Sequence, residues 1–253
     1  MTFDELRKLL SFSDSAGTEA RWILSENFSD SIIYKIIEKR KAGKPLSKIL
    51  GYRCFWKGDF IVDENVLDPR PDSETLNQSV LERFPSKDKP LCILDLGTGS
   101  GCLLISLLME YKNAVGIGVD ISEKAIEIAR KNAIRNDVKS DFILADMKKL
   151  PKNLGSFDIV VSNPPYIPTR EIKTLDENVR KYDPVLALDG GKDGLDFYRI
   201  IAKTAPASIV FLEIGMGQEE DVKKIFEQQR WQLSDVQKDF GGIIRVLIFK
   251  KDL

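Results

Sequence analysis

The stretch IVVSNPPYIP, residues 159–168, runs from β-prone residues into Ser162 and Asn163, two prolines and Tyr166. Neither proline has an N–H, so a strand ladder cannot continue through them, and each holds the residue before it extended. The Asn163 side-chain oxygen and the Pro164 carbonyl are therefore acceptors aimed in advance, suited to the two hydrogens of one planar NH₂ group. Tyr166 can stack on a flat group, and its ring favours nearby cationic charge. Such a clamp orients a nitrogen whose lone pair is delocalised and stabilises the positive charge that grows on it during attack. A proline turn closing a core strand is the plain alternative.

A second stretch suggests what the nitrogen attacks. LDLGTGSGC (94–102) follows a strand-like run and opens a helical one, so Gly97, Gly99 and Gly101 let backbone turn tightly against a ligand. A dinucleotide fingerprint reads GxGxxG, but Cys102 stands where the third glycine belongs, which weakens a pyrophosphate reading. Asp120, 19 residues after Gly101, can accept from both hydroxyls of a ribose; an ordinary helix cap is its alternative. Asp146 in ILADM can meet an adenine amino group, or be a solvated loop acid. GxxxxGK[ST] is missing from the sequence. An adenosine bound without phosphates suggests S-adenosylmethionine, and methyl transfer to nitrogen is an in-line displacement. The methylated nitrogen is acidic enough to lose its proton to water, so no strong base is needed.

Composition agrees with that economy. The 253 residues contain no histidine, which excludes Ser-His hydrolysis, histidine-ligated metals and histidine acid–base catalysis. No metal is expected. Lys+Arg is 38 against Asp+Glu 39, so nothing suggests sequence-blind nucleic-acid binding. Cys54, Cys92 and Cys102 lack CxxC spacing, and we expect small buried residues in a reducing cytosol. The acidic, amphipathic start MTFDELRKLL argues against a signal peptide, and no apolar run is long enough to span a membrane.

The elements that must position these residues follow from periodicity. Residues 1–50 read as short helices, with Phe3, Leu6 and Leu10 and then Ile32, Ile33, Ile36 and Ile37 at helical spacing. YRCFWKGDFIV (52–62) reads as a hairpin about Lys57–Gly58–Asp59. In DPRPDSETL (68–76) Ser73 can cap a helix. From residue 91 strands alternate with helices: strands at 91–97, 114–120, 141–146, 157–163 and 208–215, and helices at 101–111, 122–136, 194–205 and 217–230. A last hairpin, 232–239 with 243–250, turns at Gly241–Gly242. This pattern predicts an α/β fold with a mostly parallel, doubly wound sheet made mixed by the terminal hairpin. The polar segment 171–184 after the NPPY motif suits a substrate cover or a solvated surface helix.

Strand, NPPY and planar NH₂ nitrogen together resemble the class I (Rossmann-like) methyltransferases that modify adenine N6 or glutamine amides. KPLSKILGYRCFWKGDFIVDENVLDPRPDSETL, YDPVLALDGGKDGLDFYRII, LEIGMGQ and KDFGGIIRVLIF resemble the HemK/PrmC family of release factor glutamine methyltransferases, and the likeness covers nearly the whole chain. It implies a seven-stranded mixed sheet with a small N-terminal helical domain and a connecting β-hairpin. The division is 1–50, helical substrate recognition; 51–90, hairpin and linker; 91–253, methyltransferase domain. The implied reaction is N5-methylation of the glutamine in the GGQ motif of class 1 peptide chain release factors by S-adenosylmethionine. By matching motifs, Gly97, Thr98, Gly99, Ser100, Gly101, Asp120, Asp146 and Asn163 carry the cofactor. Met147 stands where some relatives place an aromatic on adenine. Asn163, Pro164 and Tyr166 are the catalytic residues, and with Pro165 and Arg70 they form the substrate site. Arg70 lines the substrate channel or pairs with an acid across the domain junction, and the role of Glu213 is open. A cytoplasmic monomer without direct nucleic-acid or membrane contact is expected. The rivals are a ribosomal-protein glutamine methyltransferase, a DNA adenine-N6 methyltransferase and a non-catalytic binding protein.

Overall fold

The computed structural model describes residues 1–151 and 153–251. The last two residues of the 91–253 division therefore lie outside the described residues, as does Lys152.

Four helices come first: α1 (Phe3–Leu9), α2 (Ala16–Ser25), α3 (Asp30–Lys41) and α4 (Leu46–Leu50). Thr2 and Glu5 form a reciprocal capping box that starts α1. Leu6, Leu10, Ile23, Ile33, Ile36 and Ile37 close into their own apolar cluster, each buried side chain contributing about 1.5–3 kcal/mol. Ile32, expected beside them, is exposed because it lies on the opposite side of α3. Arg40 binds both carboxylate oxygens of Glu19 on α2, at 3.0 and 2.8 Å, a bidentate clasp that ties α3 to α2.

The hairpin β1 (Tyr52–Phe55) and β2 (Gly58–Ile61) is antiparallel. Phe55 pairs with Gly58, so the turn is Trp56–Lys57, one residue earlier than the sequence suggested. Trp56 takes the left-handed backbone, φ 56°, and Gly58 is the first residue of β2, where a Cβ would collide with the Asn136 side chain. Asn132 and Asn136, one turn apart on α7 (Glu123–Arg135) and its end, dock the hairpin by bonding backbone groups of Ile61 and Asp59. They act as a substitute strand for the edge of β2.

Beyond α5 (Glu74–Arg83) come β3 (Cys92–Leu96), α6 (Cys102–Glu110), β4 (Val115–Asp120), β5 (Asp141–Leu144) and β6 (Phe157–Ser162). After β6 follow α8 (Glu177–Tyr182), α9 (Asp196–Thr204), β7 (Ala207–Glu213), α10 (Glu219–Glu227), β8 (Gln232–Lys238) and β9 (Ile244–Lys250). The seven-stranded sheet has the order β5-β4-β3-β6-β7-β9-β8, parallel except at β9. Its central strands read as continuous apolar runs because both faces are covered. The mixed sheet predicted from the alternation is the one observed. Of the cysteines expected to be buried, Cys54 is exposed and the other two are intermediate; all three are free.

Candidate active site

The sheet order reverses between β3 and β6, and ligand crevices of doubly wound sheets open at the carboxyl ends beside such a switch point. The glycine loop leaves β3 there and NPPY leaves β6. A cavity of about 330 Å³ lies between them, within the usual range for small-molecule sites.

One wall is built from backbone. The N–H groups of Gly97 and Thr98 both donate to Val119 O, at 2.8 and 3.0 Å, fastening the loop to β4. Thr98 Oγ1 donates to the fully buried Asp95 at 2.7 Å. Burial pushes Asp95 up to about 7, against the Thr98 hydrogen bond that pulls it down. Asp120 accepts from Gly99 N at 2.9 Å and from Ser122 N at 2.9 Å. Burial still raises its carboxyl above the usual range. Gly101 faces away from the cavity: it begins α6 with φ 80°, and a Cβ would press on Ile105, Ala129 and Phe142. Its glycine serves close helix–strand packing. Asn132 Nδ2 donates to Ser100 O at 2.8 Å, so the loop and the hairpin share one anchor on α7.

The opposite wall presents Ser73, Asn163 and Pro165, held in place by side chains brought from afar. Asn163 Nδ2 donates to Ser73 Oγ at 3.0 Å. Ser73 therefore does not cap α5 as expected; its own backbone is already helical and its hydroxyl serves the β6 turn. Glu213, 2% exposed at the tip of β7, sits near enough to Ser73 and Asn163 for both to lower its carboxyl. Burial pushes it up to about 7, while Ser73 and the Arg245 charge pull it down. The Tyr166 ring packs close to Gly215, and burial pushes its hydroxyl up to about 12. Gln218 Nε2 donates to Tyr166 O at 3.0 Å while its Oε1 accepts from Gly215 N at 2.9 Å. The LDGGKDG loop clamps the motif from the other side, with Ile167 N donating to Leu188 O and Gly190 N to Ile167 O. Gly194 has φ 79° and sits so near Tyr166 O that a side chain would collide with it.

The linker and the 171–184 segment close the rim. Arg70 pairs with Asp183 at 2.7 Å, the junction ion pair offered by the sequence reading, and also lines the cavity. Lys48 of α4 is buried between Asp68, at 2.9 Å, and Asp183, at 3.4 Å, and donates to the carbonyls of Asp63 and Val66. Arg245 of β9 pairs with Asp72 at 3.1 Å and Asp239 at 2.9 Å. The polar 171–184 stretch becomes a 3₁₀ turn (Thr169–Thr174) and α8, which buries no residue. Pro184, Leu186 and Ala187, just beyond, line the cavity.

Of the residues singled out from sequence, Arg70, Gly97, Thr98, Gly99, Ser100, Asp120, Asp146, Met147, Asn163 and Pro165 all line this cavity. Gly101, Pro164 and Tyr166 are not on its wall. Asp146 accepts from Lys148 N at 2.9 Å, because β5 ends at Leu144 and the acid starts a turn. Sequence reasoning missed Asp95, Gln218 and the partnership of Ser73 with Asn163. Local capping rules assign Ser73 to the following helix, so its bond to Asn163 90 residues away leaves no signal in the sequence.

A family model described as a methyltransferase domain matches residues 93–187. The release factor glutamine methyltransferase of Agrobacterium fabrum is 44% identical over 87% of this chain and 78% of its own. That of Bacillus cereus is 41% identical over 77% and 71%. A solved methyltransferase from Pyrococcus furiosus superposes with a TM-score of 0.56 at 18% identity, covering 88% of this chain and 100% of that one, a likeness of fold. With its sheet, its crevice and 44% identity to such a relative, the chain belongs to the release factor glutamine methyltransferase family.

Proposed function

We propose that this protein methylates the side-chain amide nitrogen of the glutamine in the GGQ motif of class 1 peptide chain release factors, using S-adenosylmethionine. The observation that carries the reading is the NPPY turn, with Asn163 fixed beside the glycine loop across one cavity. The cavity suits the cofactor chemically. Asp120 and Asp146 supply carboxylates for hydroxyl and amino groups, and Val119, Ala145 and Met147 supply apolar surface for a flat ring. When bound, S-adenosylmethionine provides the electrophilic methyl group. Asn163 Oδ1 and the Pro164 carbonyl accept the two amide hydrogens of the substrate glutamine, aim its nitrogen and stabilise its developing positive charge. Tyr166 holds the turn from the side of Gly215.

Residues 1–50 form the substrate-recognition domain, 51–90 the hairpin and linker, and 91–253 the catalytic domain. The separate apolar cluster of the first helices supports that division. Arg70 belongs to the substrate site, and the protein acts as a cytoplasmic monomer on a protein substrate, without direct contact to nucleic acid or membrane. No helix among the described residues is long and apolar enough to cross a membrane.

The test is transfer of labelled methyl to purified class 1 release factor, to the same factor with Gln→Ala in GGQ, to a ribosomal protein and to duplex DNA. Label on the intact factor alone is expected. Label only on the ribosomal protein or the DNA would overturn the substrate and keep the chemistry, and cofactor binding with no label anywhere would make this a binding protein.

A further inference from the structure

Asn163 can serve as an acceptor only if its amide points the right way, because the same side chain rotated by half a turn offers an NH₂ to a substrate that is itself an NH₂. Something must choose between the two orientations. We propose that Ser73 and Glu213 are positioning residues that lock the Asn163 amide with its nitrogen inward and its oxygen toward the cavity. The inference rests on the proposed reaction and adds the device that fixes its key acceptor.

The polarity of the arrangement follows from who can donate. An ionised carboxylate only accepts, and a serine hydroxyl has one proton and two lone pairs. With the Ser73 proton given to Glu213, the hydroxyl presents lone pairs to Asn163, and Nδ2 is the group found there, at 3.0 Å. The Asn163 amide also lowers the Glu213 carboxyl, so the nitrogen that bonds Ser73 is turned toward that acid as well. A rotated amide would set Oδ1 against a buried carboxylate and a lone pair, three acceptors with no proton among them. Glu213 is 2% exposed, and its Oε2 has no hydrogen-bond partner among the described residues. A buried acid left half-satisfied is costly. Ser73 is free for this role because the helix that follows it takes no side-chain cap. The relay also joins three parts of the chain: the linker, the tip of β6 and the tip of β7.

Protonating Glu213 removes the bias, since Ser73 can then donate to Oδ1 and the amide can turn. The groups facing Glu213 are Arg245 on β9, Asp72 in the linker, Tyr166 after β6, Tyr198 on α9 and Cys102 on α6. Arg245 stays cationic and is ion-paired with Asp72, and burial pushes Tyr166 and Cys102 up to about 12. Glu213 itself lies at about 7, so turnover should fall as pH drops through neutrality.

The experiment compares Ser73→Ala, Ser73→Thr and Glu213→Gln with the parent for methyl transfer at saturating cofactor between pH 6 and pH 8.5, alongside cofactor affinity by calorimetry. Ser73→Ala should lower kcat by roughly 10²-fold while cofactor affinity moves by no more than about threefold. Ser73→Thr should restore most of the loss, because it returns the hydroxyl. Glu213→Gln should lower kcat and flatten the acid limb of the profile. Parent-like kcat in Ser73→Ala, no rescue by threonine, or an acid limb that survives in Glu213→Gln would each overturn the relay. A parent enzyme inert toward the release factor would instead defeat the proposed function. The relay then remains testable in the free protein by NMR of the Asn163 side-chain NH₂. Slow solvent exchange in the parent and fast exchange in Ser73→Ala is expected, and slow exchange in both would sink it.

Discussion

The two walls of the cavity are held together in different ways. On the β3–β4 side, backbone N–H groups meet carbonyls and acids close in sequence, as where Gly99 N meets Asp120 21 residues on. On the β6–β7 side, side chains meet across long separations: Asn163 with Ser73 at 90 residues and Arg70 with Asp183 at 113. The first wall is held mainly by contacts within one βαβ unit. The second exists only when the linker, the sheet and the segment after NPPY have come together. In the proposed reaction an adenosine-type ligand, common to many reactions, is received by the local wall. The group that defines the proposed reaction would be received by the wall that draws on distant parts of the chain.

That contrast can be broken at named positions. The largest effect is expected at Asn163→Ala, which removes an acceptor used as charge develops: kcat should fall roughly 10²–10³-fold while cofactor affinity changes by less than about fivefold. Steady-state kinetics with calorimetry checks this, and a similar loss in both would mean the two walls are not separable. Next comes Gly194→Ala, where φ is 79° and a side chain would strike Tyr166 O. We expect a loss of about 2 kcal/mol in urea unfolding and a lower kcat, because the NPPY turn must shift. Asp120→Asn should weaken cofactor binding by about tenfold and leave the KM for release factor unchanged, since one carboxylate charge is lost from the local wall only. The smallest effect concerns Asp95, raised to about 7 by burial. A carboxylate pKa raised on folding gives stability that is complete at low pH and lost as pH climbs through the folded value. Asp95→Asn should therefore gain on the order of 1 kcal/mol relative to the parent between pH 5 and pH 8, read by thermal unfolding.

The same division explains what could be read in the sequence. The strand–helix alternation, the glycine loop, Asp120 and NPPY are local patterns, and the sheet and crevice are where those patterns put them. Ser73 looked like a helix cap because capping is a local rule; its actual partner is set by how the linker crosses the sheet. Gln218 lay in a motif without a stated role, and only the fold shows it tying Tyr166 to Gly215. The hairpin turns one residue earlier than expected, and Gly58 then starts β2 against the Asn136 side chain 78 residues away, a contact that no hairpin rule contains. Pro164 and Tyr166 stand outside the lining of the cavity that suits the cofactor, and the Tyr166 ring packs against Gly215 beyond the β7 tip, a placement that no local motif specifies.

The measurement that bears most directly on the central claim is mass-spectrometric mapping of a class 1 release factor after incubation with the protein and S-adenosylmethionine. A single methyl group on the side-chain amide nitrogen of the GGQ glutamine, absent with Asn163→Ala, is the predicted result. A methyl group on any other residue, or one that persists in that variant, would contradict it.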